Sequence, residues 1–197
     1  MQEEQNINLT PPYIDKEIPD FTLEAYHEDE TKEISLRKQK GKWLVLLFYP
    51  ADFTFVCPTE LESAAEHYKE FQKIGAEIMS VSTDTVFVHK AWHDHSKAIG
   101  KITYPMLADP TAKLCRALGT YLEDVGESLR TTVIVDPKGM IKAYDIHSND
   151  IGRSIDEIFR KVQAAKFVSE HTGLVCPASW TPGDDTLKPG VDLVGKI

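Results

Sequence analysis

An α/β fold is predicted by three features of the sequence. Trp43-Leu-Val-Leu-Leu-Phe-Tyr49 is a continuous apolar run ended by Pro50, the pattern of a strand covered on both faces. Leu61, Ala64, Ala65, Tyr68 and Phe71 then fall on one helical face, and Gly75 closes the pattern. From Trp43 onward strand and helix patterns alternate along the chain.

Taken in order, the polar stretch 1–12 reads as part of an extra arm (1–17) that becomes strand-like once docked. Tyr26 to Glu33 reads as an acidic turn between short strands. After the Trp43 strand come a helix from Pro58 to Ile74, a strand from Ala76 to Val81 and a helix from Thr85 to Ile99. A short helical pattern, Thr111-Ala-Lys-Leu-Cys-Arg-Ala-Leu118, precedes a strand from Arg130 to Val135 that stops at the turn Asp136-Pro-Lys-Gly139. A strand from Met140 to His147 and a helix from Ser154 to His171 follow. The prolines at 177, 182 and 189 then prevent long regular structure in a tail, 172–197, read as mobile. No repeat or low-complexity segment interrupts this order, so one domain over 1–197 is expected.

Composition narrows the function classes. A chain of 197 residues with 42% hydrophobic content supports a substantial core. A net charge of −9 argues against nucleic acid or anionic membrane as the main partner. The absence of a long apolar run and of a charged-then-apolar leader, together with only three cysteines, predicts a cytoplasmic protein. No two cysteines are close enough for a Cys-x-x-Cys pair, so neither that redox motif nor a cysteine-based metal site is expected.

Cys57 lies in Val56-Cys-Pro-Thr-Glu60, where the apolar strand gives way to a helix, and Pro58 suits the first helical position. Unpaired backbone N–H groups and the positive end of the helix dipole favour negative charge at such a place. An arginine would add to this, and Arg130 heads the second apolar strand, although sequence alone does not show that the two meet. A small hydrophobe packed in the core is the competing reading of Cys57. Cys115 shares an apolar helical face with Leu114 and Leu118 and reads as packing, whereas Cys176, on the tail, can travel to meet another thiol. His89 and His93 have metal-ligand spacing, but Val88-His-Lys-Ala-Trp-His-Asp-His-Ser96 reads as a solvated helical face, and no carboxylate motif accompanies it. Trp92 fits a core, an active-site wall or a contact between protomers. No cofactor is expected.

The segment Phe48-Tyr-Pro-Ala-Asp-Phe-Thr-Phe-Val-Cys-Pro-Thr-Glu60 resembles the active-site signature of the peroxiredoxins, Pro-x-x-x-Thr-x-x-Cys, with Pro50, Thr54 and Cys57 in its fixed places. Ser80-Val-Ser-Thr-Asp84, His89-Lys-Ala-Trp92, the Arg130 strand, Gly152-Arg-Ser154 and Val175-Cys-Pro177 follow in the family's order, and Leu193-Val-Gly-Lys-Ile197 is similar to the end of the bacterial alkyl hydroperoxide reductase C branch of that family. The resemblance implies a thioredoxin-like fold, a central mixed sheet flanked by helices, with peroxiredoxin additions at both termini.

It also implies a typical two-cysteine peroxidase acting on hydrogen peroxide and organic hydroperoxides. Cys57 would be the peroxidatic thiolate and Cys176 of the partner subunit the resolving thiol. Thr54, the Cys57 N–H and Arg130 would address the peroxide oxygens, Pro50 would shelter the sulfur, and Glu60 would orient Arg130 and Arg153. A homodimer, usually assembled as a ring of five, is implied, with an external disulfide reductant: a flavoprotein alkyl hydroperoxide reductase partner, thioredoxin or a glutaredoxin-like donor. Because joining the two sulfurs requires close Cα atoms, the turn 54–62 is expected to unwind and the tail from 172 to loosen between half-reactions. The stretch Ala98-Ile-Gly-Lys-Ile-Thr-Tyr-Pro105 lacks the Gly-Gly-Leu-Gly insert of overoxidation-prone relatives, and the chain closes without their Tyr-Phe helix, so resistance to sulfinic inactivation is expected. A shorter loop is expected at Gly119 to Leu129. A holdase chaperone or a redox relay is the alternative function.

Overall fold

The computed structural model describes residue 11 and residues 13–197, so the strand-like docking expected of the first twelve residues lies outside the described residues, residue 11 apart. The chain divides into two compact units, one running to Ile155 and the other from Asp156 to Ile197. The element order is β1 (Thr22–His27), β2 (Glu30–Ser35), β3 (Trp43–Phe48), α1 (Cys57–Lys73), β4 (Ala76–Ser82), α2 (Val86–His95), β5 (Met106–Ala108), α3 (Lys113–Ala117), β6 (Tyr121–Leu122), β7 (Glu127–Ser128), β8 (Arg130–Val135), β9 (Ile141–His147) and α4 (Ile155–Glu170).

Among the described residues seven strands form one sheet in the order β2-β1-β5-β4-β3-β8-β9. The pairs β3–β4 and β4–β5 are parallel and the rest antiparallel, which makes the sheet mixed as expected. β3 is buried along its whole length, as its unbroken apolar run requires of a strand covered on both faces. Leu44, Leu46 and Phe48 join Met79, Val81, Val133 and Val135 in a core that also takes Leu114, Cys115 and Leu118 from the α3 region. Alternation sends Val45 and Leu47 to the other face. α1 packs on β4 with Leu61, Ala64 and Phe71 fully buried, and α2 packs on β1 and β5.

Local chemistry sets the boundaries that matter for the site. α1 begins at Cys57, with Pro58 as its second residue rather than its first, and ends where Gly75 takes a positive φ of 79° and donates its N–H to the Gln72 carbonyl. The Gly75 carbonyl then accepts from Trp43 N–H, tying the end of α1 to the start of β3.

The structure corrects the sequence reading in several places. The turn expected over Tyr26–Glu33 is only Glu28-Asp29, both at positive φ, and its flanks belong to β1 and β2 in register His27 with Glu30. The strand ends on either side of it, rich in Glu and Lys, carry no alternation that would reveal them. α2 ends at His95 instead of Ile99. Ser96 turns to extended backbone, and its hydroxyl accepts from Ile99 N–H at 3.3 Å, which starts a separate 3₁₀ turn over Ile99–Lys101 that buries Ile99. β5, β6 and β7 are too short for a periodic signal.

Candidate active site

The first turn of α1 places Cys57 fully buried at the helix N-terminus, preceded by the loop 49–56. β8 lies beside β3, so Arg130, its first residue, reaches across to the same end of the sheet. Arg130 Nη1 donates to Cys57 Sγ at 3.3 Å and to Glu60 Oε2 at 2.8 Å, while its Nε donates to the Asn149 carbonyl at 2.9 Å. The meeting of Cys57 and Arg130, 73 residues apart, is therefore made by strand pairing.

Glu60 lies one turn after the helix start and accepts from both arginines. Arg153 donates to it through its backbone N–H at 2.7 Å, Nε at 2.9 Å and Nη2 at 3.0 Å. Arg153 Nη1 is held in turn by the Thr131 carbonyl at 2.9 Å and Thr132 Oγ1 at 3.3 Å. All three charged side chains are almost wholly buried, at 1–3% exposure. Burial alone would push the Glu60 carboxyl up, but the hydrogen bonds and charge of Arg153, with Arg130 behind them, outweigh it and hold the group below its ordinary value. Two guanidinium cations against one carboxylate leave one net positive charge next to the sulfur. The cluster is thus built to accept negative charge on sulfur or on an oxygen bound to it.

Gly152 lies against this turn. A Cβ there would sit 3.4 Å from Val56 Cγ1 and 3.9 Å from Glu60 Cγ, so the residue before Arg153 packs directly on the first turn of α1. Thr54 Oγ1 donates to the Ala51 carbonyl at 2.8 Å, and Pro50 is buried at the end of β3. The structure therefore brings Cys57, Glu60, Arg130 and Arg153 into one bonded cluster. Thr54 and Pro50 stand in the loop that leads into it, with the Thr54 hydroxyl turned to its own loop backbone.

The expectation of a solvated face over residues 88–96 fails for His89. Its ring is fully buried, with Nδ1 2.7 Å from Asp52 Oδ2 and Nε2 3.2 Å from the Leu107 carbonyl. Tyr49 donates its hydroxyl to Asp52 Oδ1 at 2.6 Å, and Asp52 N–H donates to Asp84 Oδ2 at 2.9 Å, so this network fastens the Pro50–Thr54 loop from behind. Burial raises the Asp52 carboxyl, with the His89 contact opposing. The signal was present in the three-residue spacing of Val86, His89 and Trp92, all buried on one face of α2. Trp92 packs against Tyr49 and Phe53 with ring centroids 6.1 and 6.0 Å apart. Asn149, which takes part through its carbonyl, left no signal, because any residue type supplies that acceptor. Among the described residues no group of three His, Cys, Asp or Glu side chains could hold a metal ion.

Cys115 is fully buried, its N–H donates to Asp109 Oδ2 at 2.8 Å, and burial followed by the Asp109 charge pushes its thiol far up. It is a packing cysteine. In the second unit Cys176 is half-buried, with Sγ 3.9 Å from the Ala164 carbonyl. Burial raises the Cys176 thiol, and the Arg160 charge acts against that rise.

Comparison with known proteins adds family context. Residues 14–144 match the AhpC/TSA family, and residues 164–196 match the C-terminal domain of 1-Cys peroxiredoxin. The chain is 48% identical over 184 residues to alkyl hydroperoxide reductase C of Pseudomonas aeruginosa, covering 93% of this chain and 98% of the relative. It is 50% identical over 186 residues to alkyl hydroperoxide reductase C of Staphylococcus aureus, with the same coverage. The crystal structure of Enterococcus faecalis AhpC superposes with a TM-score of 0.82 at 47% identity, over 84% of this chain and 99% of that one. Reduced 2-Cys peroxiredoxin of Plasmodium vivax superposes with a TM-score of 0.88 at 33% identity, over 92% and 96%. The mixed sheet flanked by helices is accordingly the thioredoxin-like fold of these proteins.

Proposed function

The chain belongs to the AhpC/TSA family and is a peroxiredoxin enzyme, and from that premise we propose that it reduces hydrogen peroxide and organic hydroperoxides through Cys57, with Cys176 of a partner subunit as the resolving thiol. The observation that carries this reading is the 3.3 Å contact between the Arg130 guanidinium and a fully buried Cys57 sulfur at a helix N-terminus. In the first half-reaction the Cys57 thiolate attacks the terminal peroxide oxygen. An S–O bond forms, the O–O bond breaks, and the leaving alkoxide or hydroxide takes up a proton, leaving Cys57 as sulfenic acid. Arg130, fixed by Glu60 and the Asn149 carbonyl, is the donor placed to follow charge from sulfur to oxygen. Thr54, once its hydroxyl turns from the Ala51 carbonyl, and the Cys57 N–H supply the other donors, Pro50 shelters the sulfur, and Arg153 fixes Glu60.

In the second half-reaction the Cys176 thiol attacks the sulfenic sulfur, a disulfide forms and water leaves. An external dithiol restores both thiols, supplied by a flavoprotein alkyl hydroperoxide reductase partner, thioredoxin or a glutaredoxin-like donor. The reading places the protein in the cytoplasm, where such donors operate. No described helix is long and apolar enough to cross a membrane. It takes 1–197 as one functional domain with an arm at 1–17 and a mobile tail at 172–197. A homodimer is supported by β9, which forms an edge of the sheet. Association of dimers, with the ring of five as the arrangement the family implies, is supported by the exposed rings of Phe53, Phe55 and Phe87. That same apolar surface favours a second reading, holdase activity, alongside redox relay.

Non-reducing gels of wild type and Cys176→Ser after one equivalent of hydrogen peroxide, with peroxide loss followed in parallel, test the reading. Wild type is expected to consume peroxide and shift to a covalent dimer, and Cys176→Ser to consume one equivalent without the dimer. Peroxide left untouched by wild type would sink the peroxidase role. Arg130→Met, which keeps length and removes the guanidinium, is expected to lower the second-order rate with peroxide by about 10²–10³-fold. Stopped-flow oxidation rates check this, and a loss under about threefold would remove Arg130 from the reaction.

A further inference from the structure

The tail loop that carries Cys176 is closed by its own bonds and lies on one face of α4. Val175 and Leu187 exchange backbone hydrogen bonds at 2.9 and 3.0 Å. Between them, Trp180 Nε1 donates to the Asp184 carbonyl at 3.1 Å, and the N–H and hydroxyl of Thr181 both donate to Asp184 Oδ2 at 2.8 Å. Arg160, Ala164 and Phe167 are spaced four and three apart, so they share a helical face. Each meets the loop at a different point. The Phe167 ring packs on the Trp180 ring with centroids 4.8 Å apart, the Ala164 carbonyl lies by Cys176 Sγ, and Arg160 Nη1 donates to the Trp180 carbonyl at 2.9 Å.

The Arg160 contact differs in kind from the other two. It is a charge-assisted bond to the loop backbone, from a side chain whose remaining nitrogens are already forked onto Glu157, with Nε to Oε2 at 2.6 Å and Nη2 to Oε1 at 2.8 Å. The fork gives the guanidinium a partner on its own helix, which orients Nη1 toward the Trp180 carbonyl. Trp180 is only four residues after Cys176 and is 3% exposed, so its removal from the helix face carries the cysteine with it.

We propose that Arg160 is a positioning residue for the resolving step: its grip on the Trp180 carbonyl holds the Cys176 loop against α4 and sets how often that loop opens to deliver the thiol. This rests on the resolving role of Cys176 proposed above. No residue of the peroxide-reacting cluster is involved, so the effect falls on disulfide formation and leaves sulfenic acid formation alone. The Arg160 charge near Cys176, which opposes the effect of burial on the thiol, agrees with the same closeness.

Hydrogen exchange and rapid-mixing kinetics on the full-length reduced protein test the idea together. In Arg160→Gln, exchange at the Val175, Trp180 and Leu187 amides is expected to rise about tenfold, the ratio that about 1.4 kcal/mol gives at 25 °C. Formation of the Cys57–Cys176 disulfide from the sulfenic acid should accelerate by a similar factor, with the rate of sulfenic acid formation unchanged. Arg160→Lys, which keeps the charge and loses the fork, is expected to fall between and guards against a Gln variant that misfolds. Unchanged exchange, or faster exchange with an unchanged disulfide rate, would overturn the proposal. A wild-type chain that makes no such disulfide would remove the resolving role of Cys176, and the exchange arm would still decide whether Arg160 holds the loop.

Discussion

Cys57→Ser is expected to reduce peroxide consumption by about 10⁴-fold or more, to the level of the uncatalysed reaction with thiols in the buffer. The serine hydroxyl is nearly isosteric, so the fully buried site keeps its packing and the Arg130, Glu60 and Arg153 cluster keeps its geometry. What is lost is the nucleophile. A hydroxyl stays protonated at neutral pH, and nothing at the site is placed to act as its base, since Glu60 is already engaged by two arginines. The same variant separates the competing functions: holdase activity, which needs only exposed apolar surface such as Phe53, Phe55 and Phe87, should survive, whereas peroxidase and relay should vanish together. Peroxide loss and suppression of client aggregation, measured on one preparation, check both. Residual peroxidase within about tenfold of wild type would move the chemistry to another residue.

Glu60→Gln is expected to cost about 3–5 kcal/mol of stability, because it leaves two buried guanidinium groups facing each other without the carboxylate that joins them. The amide retains one acceptor oxygen, yet wild-type Glu60 accepts from Arg130 Nη1 and from three Arg153 nitrogens across both oxygens. Peroxide turnover should fall as well, since Arg130 loses the partner that fixes Nη1. The pH dependence follows from the lowered Glu60 value. A carboxyl whose folded value lies below its unfolded one adds stability that is fully present above the ordinary value of 4.5 and is lost as pH falls through the folded value. The gap between wild type and Glu60→Gln should therefore be largest near neutral pH and shrink in acid below 4.5. Denaturant unfolding at several pH values measures it, and equal midpoints at neutral pH would make Glu60 a spectator.

Cys57 and its helix start were legible in the sequence because both signals are local. An apolar run that ends at Pro50, a proline after the cysteine and a one-sided helical pattern depend on neighbours within a few residues, and the structure begins α1 at Cys57 and buries β3 throughout. The strand from Arg130 to Val135 was legible for the same reason, and the structure keeps both of its bounds, while its antiparallel pairing with β3 came from the structure alone.

His89 marks the limit of such reading. Flanking charges at Lys90, Asp94 and His95 suggested solvent, while burial was decided by Asp52 from a different element, which satisfies the ring within the core.

By itself, then, the sequence determined the alternation of strands and helices, the identity of the reactive cysteine candidate and the charged residues available to serve it. Only the tertiary structure decided that Arg130 reaches the Cys57 sulfur, that Glu60 is shared by two arginines, and that the Arg153 backbone N–H also binds Glu60. The physical reason is that these contacts join residues 70 to 93 positions apart, or depend on backbone groups, and both are fixed by sheet order and close packing rather than by any local preference of the chain.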